Sequence, residues 1–352
     1  MDNGSLNVRD LGAAGDGKKD DTAAIQKAID TAAQTGGSVH VPAGTYLCST
    51  LTMRPYVALT GVPAFGYRKP GGSIIRLADK RARCLIDITG ATGATLEGLC
   101  LDGRDLGSGT HGVLLDKEDF GQEEDAFRIE RCQIGWFTGD GVHLRRVWCY
   151  SVRHSMICQN KGSGIRQRGW DAFILDNWLS GNAGAGFGAF DAEDAAVTMT
   201  GNRIEWNAAG GVILYGADNY SINGNYIDRC GGPGIAMYNE GRGPNAHIAI
   251  TGNVLNRSGK WPAADQFGSA HIRVDDATGV TITGNTLTAG RDDQGTGEWS
   301  PAYAIVYSKL SNSVIMGNVL DRAAIRDLIV DRGGNNETVI VKDNPATLHP
   351  RR

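Results

Sequence analysis

A short unit built around asparagine recurs through most of this 352-residue chain. Gly201-Asn202-Arg203-Ile204, Gly224-Asn225-Tyr226-Ile227, Gly252-Asn253-Val254-Leu255, Gly284-Asn285-Thr286-Leu287 and Gly317-Asn318-Val319-Leu320 share one pattern. Asp176-Asn177-Trp178-Leu179 and Asp343-Asn344 are weaker copies, and degenerate ones sit at Cys132 and Ser155. The anchors fall at 132, 155, 177, 202, 225, 253, 285, 318 and 344. Ten residues after the first five comes a glycine followed by an apolar residue: Val142, Ile165, Phe187, Val212 and Ile235. Such a repeat holds about three short strands and leaves no room for a helix of ~10 residues. It is the unit of a parallel β-helix, in which each coil pairs only with its neighbours.

The expected fold is therefore all-β, a right-handed parallel β-helix of about ten coils spaced ~4.8 Å apart, since parallel crossovers are overwhelmingly right-handed. The repeat also accounts for the fifty glycines, about double the usual share. Glycine and asparagine adopt the left-handed backbone that a sharp corner needs, and stacked asparagines can ladder between coils. One domain is expected over 1–352: a cap and first strand over 1–47, coils over 48–345 and a tail over 346–352. In the cap, Asp20-Asp21-Thr22 precedes Ile25, Ala28, Ile29 and Ala32 at helical spacing, which predicts an α-helix closing the open end of the coil stack.

Thirty-five basic residues face 39 acidic ones, for a net charge of −4. This balance excludes a general nucleic-acid binder. No apolar run reaches the ~18–20 residues of a membrane span. Seven cysteines without a CxxC pair read as small buried apolar residues, with no zinc or redox motif.

The N-terminal motifs are more specific. Asn7-Val8-Arg9-Asp10-Leu11-Gly12-Ala13, Gly15-Asp16-Gly17, Asp20 to Ile25, Val41-Pro42-Ala43-Gly44-Thr45-Tyr46 and Leu101-Asp102-Gly103 together resemble the pectate-lyase-like superfamily. That group includes polysaccharide lyases, glycoside hydrolases, C5-epimerases and phage tailspikes. The resemblance covers essentially the whole chain and implies a polysaccharide or oligosaccharide substrate, in a monomer or homotrimer. It also implies a secreted or periplasmic protein, or a virion-associated one. The first motif begins almost at Met1, so a signal peptide is expected to have been removed.

The repeat register places a candidate site. With Val142, Ile165, Phe187, Val212, Ile235, Ile272 and Ile305 pointing inward, strand alternation puts two rows outward. The first is His143, Arg166, Gly188, Ile213, Ala236, Arg273 and Val306; the second is Arg145, Arg168, Phe190, Tyr215, Tyr238, Asp275 and Ser308. Arginine forks suit uronate carboxylates and aromatic rings suit sugar faces; the competing reading is a solvated sheet of internal arginine–acid pairs. Long segments at about 256–270 and 288–303 flank the same strand, and such loops carry function. The expected catalytic residues are Arg273, Asp275, Glu240, His271 and Tyr238. Arg145, Arg166, Arg168, Tyr215, Trp261 and Trp299 are expected to bind substrate. The acid-rich insertion from Asp116 to Asp125 is expected to be a solvated loop.

A lyase would use Arg273 with His271 or Tyr238; a hydrolase needs two carboxylates, for which Glu240 and Asp275 are the best pair. Because arginines outnumber acids on the two rows, cleavage of a uronate-containing polysaccharide by a lyase is the leading expectation. A non-catalytic glycan-binding spike is the alternative from another class. The epimerase-like pattern of Tyr, Asp and His would fall at Gly139 to His143, where Asp140 and His143 stand but the tyrosine is missing. No cofactor is expected, with Ca²⁺ at Asp191, Glu193 and Asp194 as the alternative.

Overall fold

The computed structural model describes residues 5–260, 263–290 and 300–349. Chain contacts group into two compact units, Met1–Trp178 and Leu179–Arg352, and both are built of the expected coils. The fold is a right-handed parallel β-helix, with one α-helix among the described residues.

In the first unit the helix Thr22–Ala32 buries Ile25, Ala28, Ile29 and Ala32, the face its spacing predicts. Thr22 is capped by the Asp20 carboxylate at 2.9 Å. Asp21 instead turns back to accept the Ala14 and Gly15 amides at 2.7 and 3.0 Å. Strand Val142–Arg153 lies parallel to His111–Asp116 on one side and to Ile165–Leu175 on the other. Val113, Val142 and Ile165 stack in register inside. This leaves His143 beside Arg166 and Arg145 beside Arg168 on the outward side.

In the second unit Val212, Ile235, Ile272, Ile305 and Ile329 form the matching ladder. Outward neighbours are Tyr215 with Tyr238, Ala236 with Arg273, and Asp275 with Ser308.

The asparagine anchors are structural. Asn253 Oδ1 accepts from the Asn225 amide and from Asn225 Nδ2, both at 3.0 Å. Asn253 Nδ2 donates in turn to Ile222 O at 2.9 Å and to Asn285 Oδ1 at 3.0 Å. The same ladder runs from Asn202 to Asn344. In the first unit Ser155 takes an anchor's place, its hydroxyl accepting the Cys132 amide at 3.1 Å. The left-handed corner is the residue before each anchor. Gly224 and Gly252 sit there at φ +61° and +62° with open space around them, so backbone conformation and not crowding selects glycine. Arg131, His154 and Asp176 adopt the same conformation at the degenerate corners, at a cost of ~1 kcal/mol or more each. The cysteines are free, and all but Cys149 are buried.

Candidate functional site

Two groups of side chains stand out, one in each unit. The first begins at the tight turn before strand Val142–Arg153. Gly162 leaves room there, because a Cβ at that position would lie 2.3 Å from Asp140 Oδ1. The Asp140 carboxylate is nearly buried. Its Oδ1 accepts the Ser163 amide at 2.6 Å, and its Oδ2 lies 2.7 Å from His143 Nδ1. A carboxylate can only accept, so the His143 nitrogen facing it, Nδ1, carries a proton. Burial alone would raise the Asp140 pKa, but the bonds from His143 and Ser163 outweigh it and lower the value.

His111 completes the group. Its Nδ1 accepts the Asp140 amide at 3.0 Å, and its ring centroid is 4.3 Å from that of His143. Burial, then the neighbouring His143, with Arg166 and Arg83 beyond, pushes its pKa down to about 4, against the pull of Asp140. His111 is therefore neutral at physiological pH. His111-Gly112-Val113 occupies the same corner one coil before Asp140-Gly141-Val142. Extending the glycine–apolar register back by one coil would have found it.

Arginines surround this dyad. Asp116 holds Arg145 at 2.8 Å and Arg83 at 2.7 Å, and those bonds, Arg83's first, keep its carboxyl below the usual range against burial. The insertion after it is exposed at 118–119 and 121–124. Lys117 Nζ meets both Asp125 oxygens at 3.0 and 2.8 Å, Asp125 accepts the Trp148 amide at 2.8 Å, and Phe120 stacks on Trp170 at 4.0 Å. The loop is thus solvated over most of its length, as expected, and held by Lys117, Phe120 and Asp125.

The second group lies in Leu179–Arg352. Phe190, Tyr215 and Tyr238 rest on Ala185, Ile213 and Ala236, with ring centroids 6.0 and 5.2 Å apart. They floor a pocket of about 540 Å³. Burial pushes Tyr238 up to about 12 and also raises Tyr215, with the Glu240 charge adding to the rise. Both stay protonated and neither is a base at neutral pH.

Arg273 lies 4.9 Å over the Tyr238 ring. Its Nε and Nη2 reach Asp275 at 2.8 and 2.6 Å, and its Nη1 binds Asp265. Asp275 also accepts from Ser308 at 2.9 Å and from Arg332 at 3.0 Å. Arg273 and Arg332 thus offset Asp265 and Asp275 in one partly buried cluster. Glu240 stands at the pocket rim, mostly exposed, 3.9 Å from Arg242.

His271 does not face this pocket. It is wholly buried beside the Thr288 and Ala323 carbonyls, yet neither ring nitrogen has a partner with hydrogen-bond geometry. The strand Ala270–Thr278 begins with five successive buried residues, so alternation fails at this corner. Burial holds the ring neutral down to a pKa of about 3, from an ordinary 6.5. The unfolded chain binds this proton below about pH 6.5 and the folded chain refuses it until about pH 3. Stability is therefore expected to fall with pH across that window, by up to ~1.4 kcal/mol per unit for this group. His111 adds to the slope above about pH 4. Urea denaturation from pH 7 to 4 checks it, with His271→Gln showing the shallower slope.

Trp261 and Trp299 lie outside the described residues. Asp194 is buried at the start of its strand, while Asp191 and Glu193 are exposed on the turn before it. Among the described residues, the group whose donor atoms come within 4.8 Å of one another is His111, Asp140 and His143. Asp140's oxygens and His111 Nδ1 are engaged there in hydrogen bonds.

The chain belongs to the rhamnogalacturonase A/epimerase, pectate-lyase-like family, whose model matches residues 5–236. It is 32% identical over 202 residues to mannuronan C5-epimerase AlgE5 of Azotobacter vinelandii, covering 50% of this chain and 18% of that protein. It thus spans under a fifth of the length of the curated relatives it matches first. The A-module of A. vinelandii mannuronan C-5 epimerase AlgE4 superposes with a TM-score of 0.72 at 21% identity, over 97% of this chain and 99% of the module. The enzymatically active domain of bacteriophage CBA120 tailspike protein 2 gives 0.70 at 16% identity, over 89% and 47%.

Proposed function

We propose that this protein cleaves a uronate-containing polysaccharide by β-elimination, with His143 as the catalytic base. The observation that carries this reading is the 2.7 Å bond from His143 Nδ1 to buried Asp140. The carboxylate fixes the tautomer and stabilises the imidazolium formed when Nε2 takes a proton. The acidic carbon is C5, adjacent to the uronate carboxylate, and its anion needs positive charge nearby. Arg166 stands beside His143 in register, with Arg145 and Arg168 on the next outward positions.

In the step, Nε2 removes the C5 proton, the C4=C5 double bond forms and the C4–O4 bond breaks. The departing O4 takes the proton from His143, so atoms balance without an added reactant. The names of the matched relatives, mannuronan C5-epimerases, support proton removal at C5. Elimination is favoured over epimerisation because His143 and the arginines rise from one sheet, and epimerisation needs a proton donor on the opposite face of the sugar. Hydrolysis by Glu240 and Asp275 is disfavoured because Asp275 is engaged by Arg273, Arg332 and Ser308.

Incubation with mannuronate, guluronate and galacturonate polymers, in buffer made with deuterium oxide, tests the proposal. The expected result is ultraviolet absorbance of the unsaturated uronate rising together with reducing ends. Reducing ends alone would indicate hydrolysis. Deuterium at C5 with an intact chain would indicate epimerisation, and binding with none of these would indicate a glycan-binding protein.

A further inference from the structure

We propose that the pocket floored by Tyr215 and Tyr238 is a separate binding site for an uncharged sugar residue of a carbohydrate chain. Three observations carry it. The first is charge. Glu240 and Asp265 face Lys260 and Arg273 in this pocket, and Glu240, Asp275 and Asp276 face Arg273, Lys309 and Arg332 in the space next to it. Each set balances.

The second is the state of Arg273. Its Nε–Nη2 fork is held by Asp275 and its Nη1 by Asp265, so two acids already offset its charge. A carboxylate bound here would be a third anion beside Asp265 and Asp275.

The third is the floor itself. The Tyr215 and Tyr238 rings, 5.2 Å apart, each carry an arginine over one face, Arg242 and Arg273 at 4.9 Å, and the aromatic surface that still lines the pocket is what the C–H face of a pyranose can lie against. The exposed carboxylate of Glu240 and the half-exposed one of Asp265 accept from sugar hydroxyls at the rim. At about 540 Å³, the pocket falls within the ~300–1,000 Å³ of small-ligand sites.

Calorimetric titration with uncharged gluco-, manno- and galacto-oligosaccharides, and with uronate oligosaccharides as competitors, tests the assignment. At least one neutral series is expected to bind, with affinity about tenfold lower in Tyr215→Ala, the equivalent of one aromatic stacking contact. Glu240→Gln, a change at an exposed position, is expected to weaken binding severalfold, and uronate oligosaccharides are expected not to displace the neutral ligand. Unchanged affinity in both variants, no binding across the neutral panel, or displacement by uronates overturns the proposal. Because the measurement reads binding and not turnover, its failure leaves the elimination reading untouched, and the reverse also holds.

Discussion

Replacing His143 by alanine is expected to lower kcat on the uronate polymer by about 10²–10⁴-fold with little change in KM, the loss typical of a removed general base. Its side chain is partly exposed, so the variant should fold. Asp140→Asn tests the orienting carboxylate separately. An amide there can donate to His143 Nδ1, which would move the ring proton to Nε2 and remove the basic lone pair from the substrate side. A comparable kcat loss follows, although the imidazole remains in place. Arg166→Gln is expected to affect KM and kcat together, because it acts on the uronate carboxylate before and during proton transfer. Steady-state kinetics by the ultraviolet assay separate the three. Wild-type kcat in His143→Ala would remove the dyad from catalysis and return attention to the Arg273 region.

The second large effect is on stability. Asn253→Ala should cost about 2–6 kcal/mol, because removing one rung withdraws partners from the Asn225 amide and the Ile222 carbonyl, and each orphaned buried group costs ~1–3 kcal/mol. The adjacent Val254 is 41% exposed, and Val254→Ala should stay within ~1 kcal/mol. Denaturant unfolding of the pair compares a polar side chain that holds the fold with an apolar one that does not. A cost below ~1 kcal/mol for Asn253→Ala would mean that water or a shifted side chain replaces the lost bonds.

Much of the candidate surface was legible in the sequence. The glycine–apolar corner set the register, and the outward pairs His143 with Arg166, Arg145 with Arg168, and Tyr215 with Tyr238 follow from it directly. The register was read from Val142 onward, and so His111 was missed one coil earlier. Alternation puts His271, two residues before Arg273, on the same face, but it sits where the strand enters the coil and successive residues are all buried. Arg273 meets Asp275, which the outward rows already supply, and Asp265, which lies on a loop whose path no periodicity describes.

The sequence by itself therefore determined the coil and the side chains that share its outer face. Both are periodic properties of short segments, repeated often enough to be counted. Only the tertiary structure decided which charges are already matched. Asp140 meets His111 across 29 residues and Arg332 meets Asp275 across 57. These contacts depend on how successive coils and their loops pack, and that packing sets His143 against a buried carboxylate and Arg273 between two others.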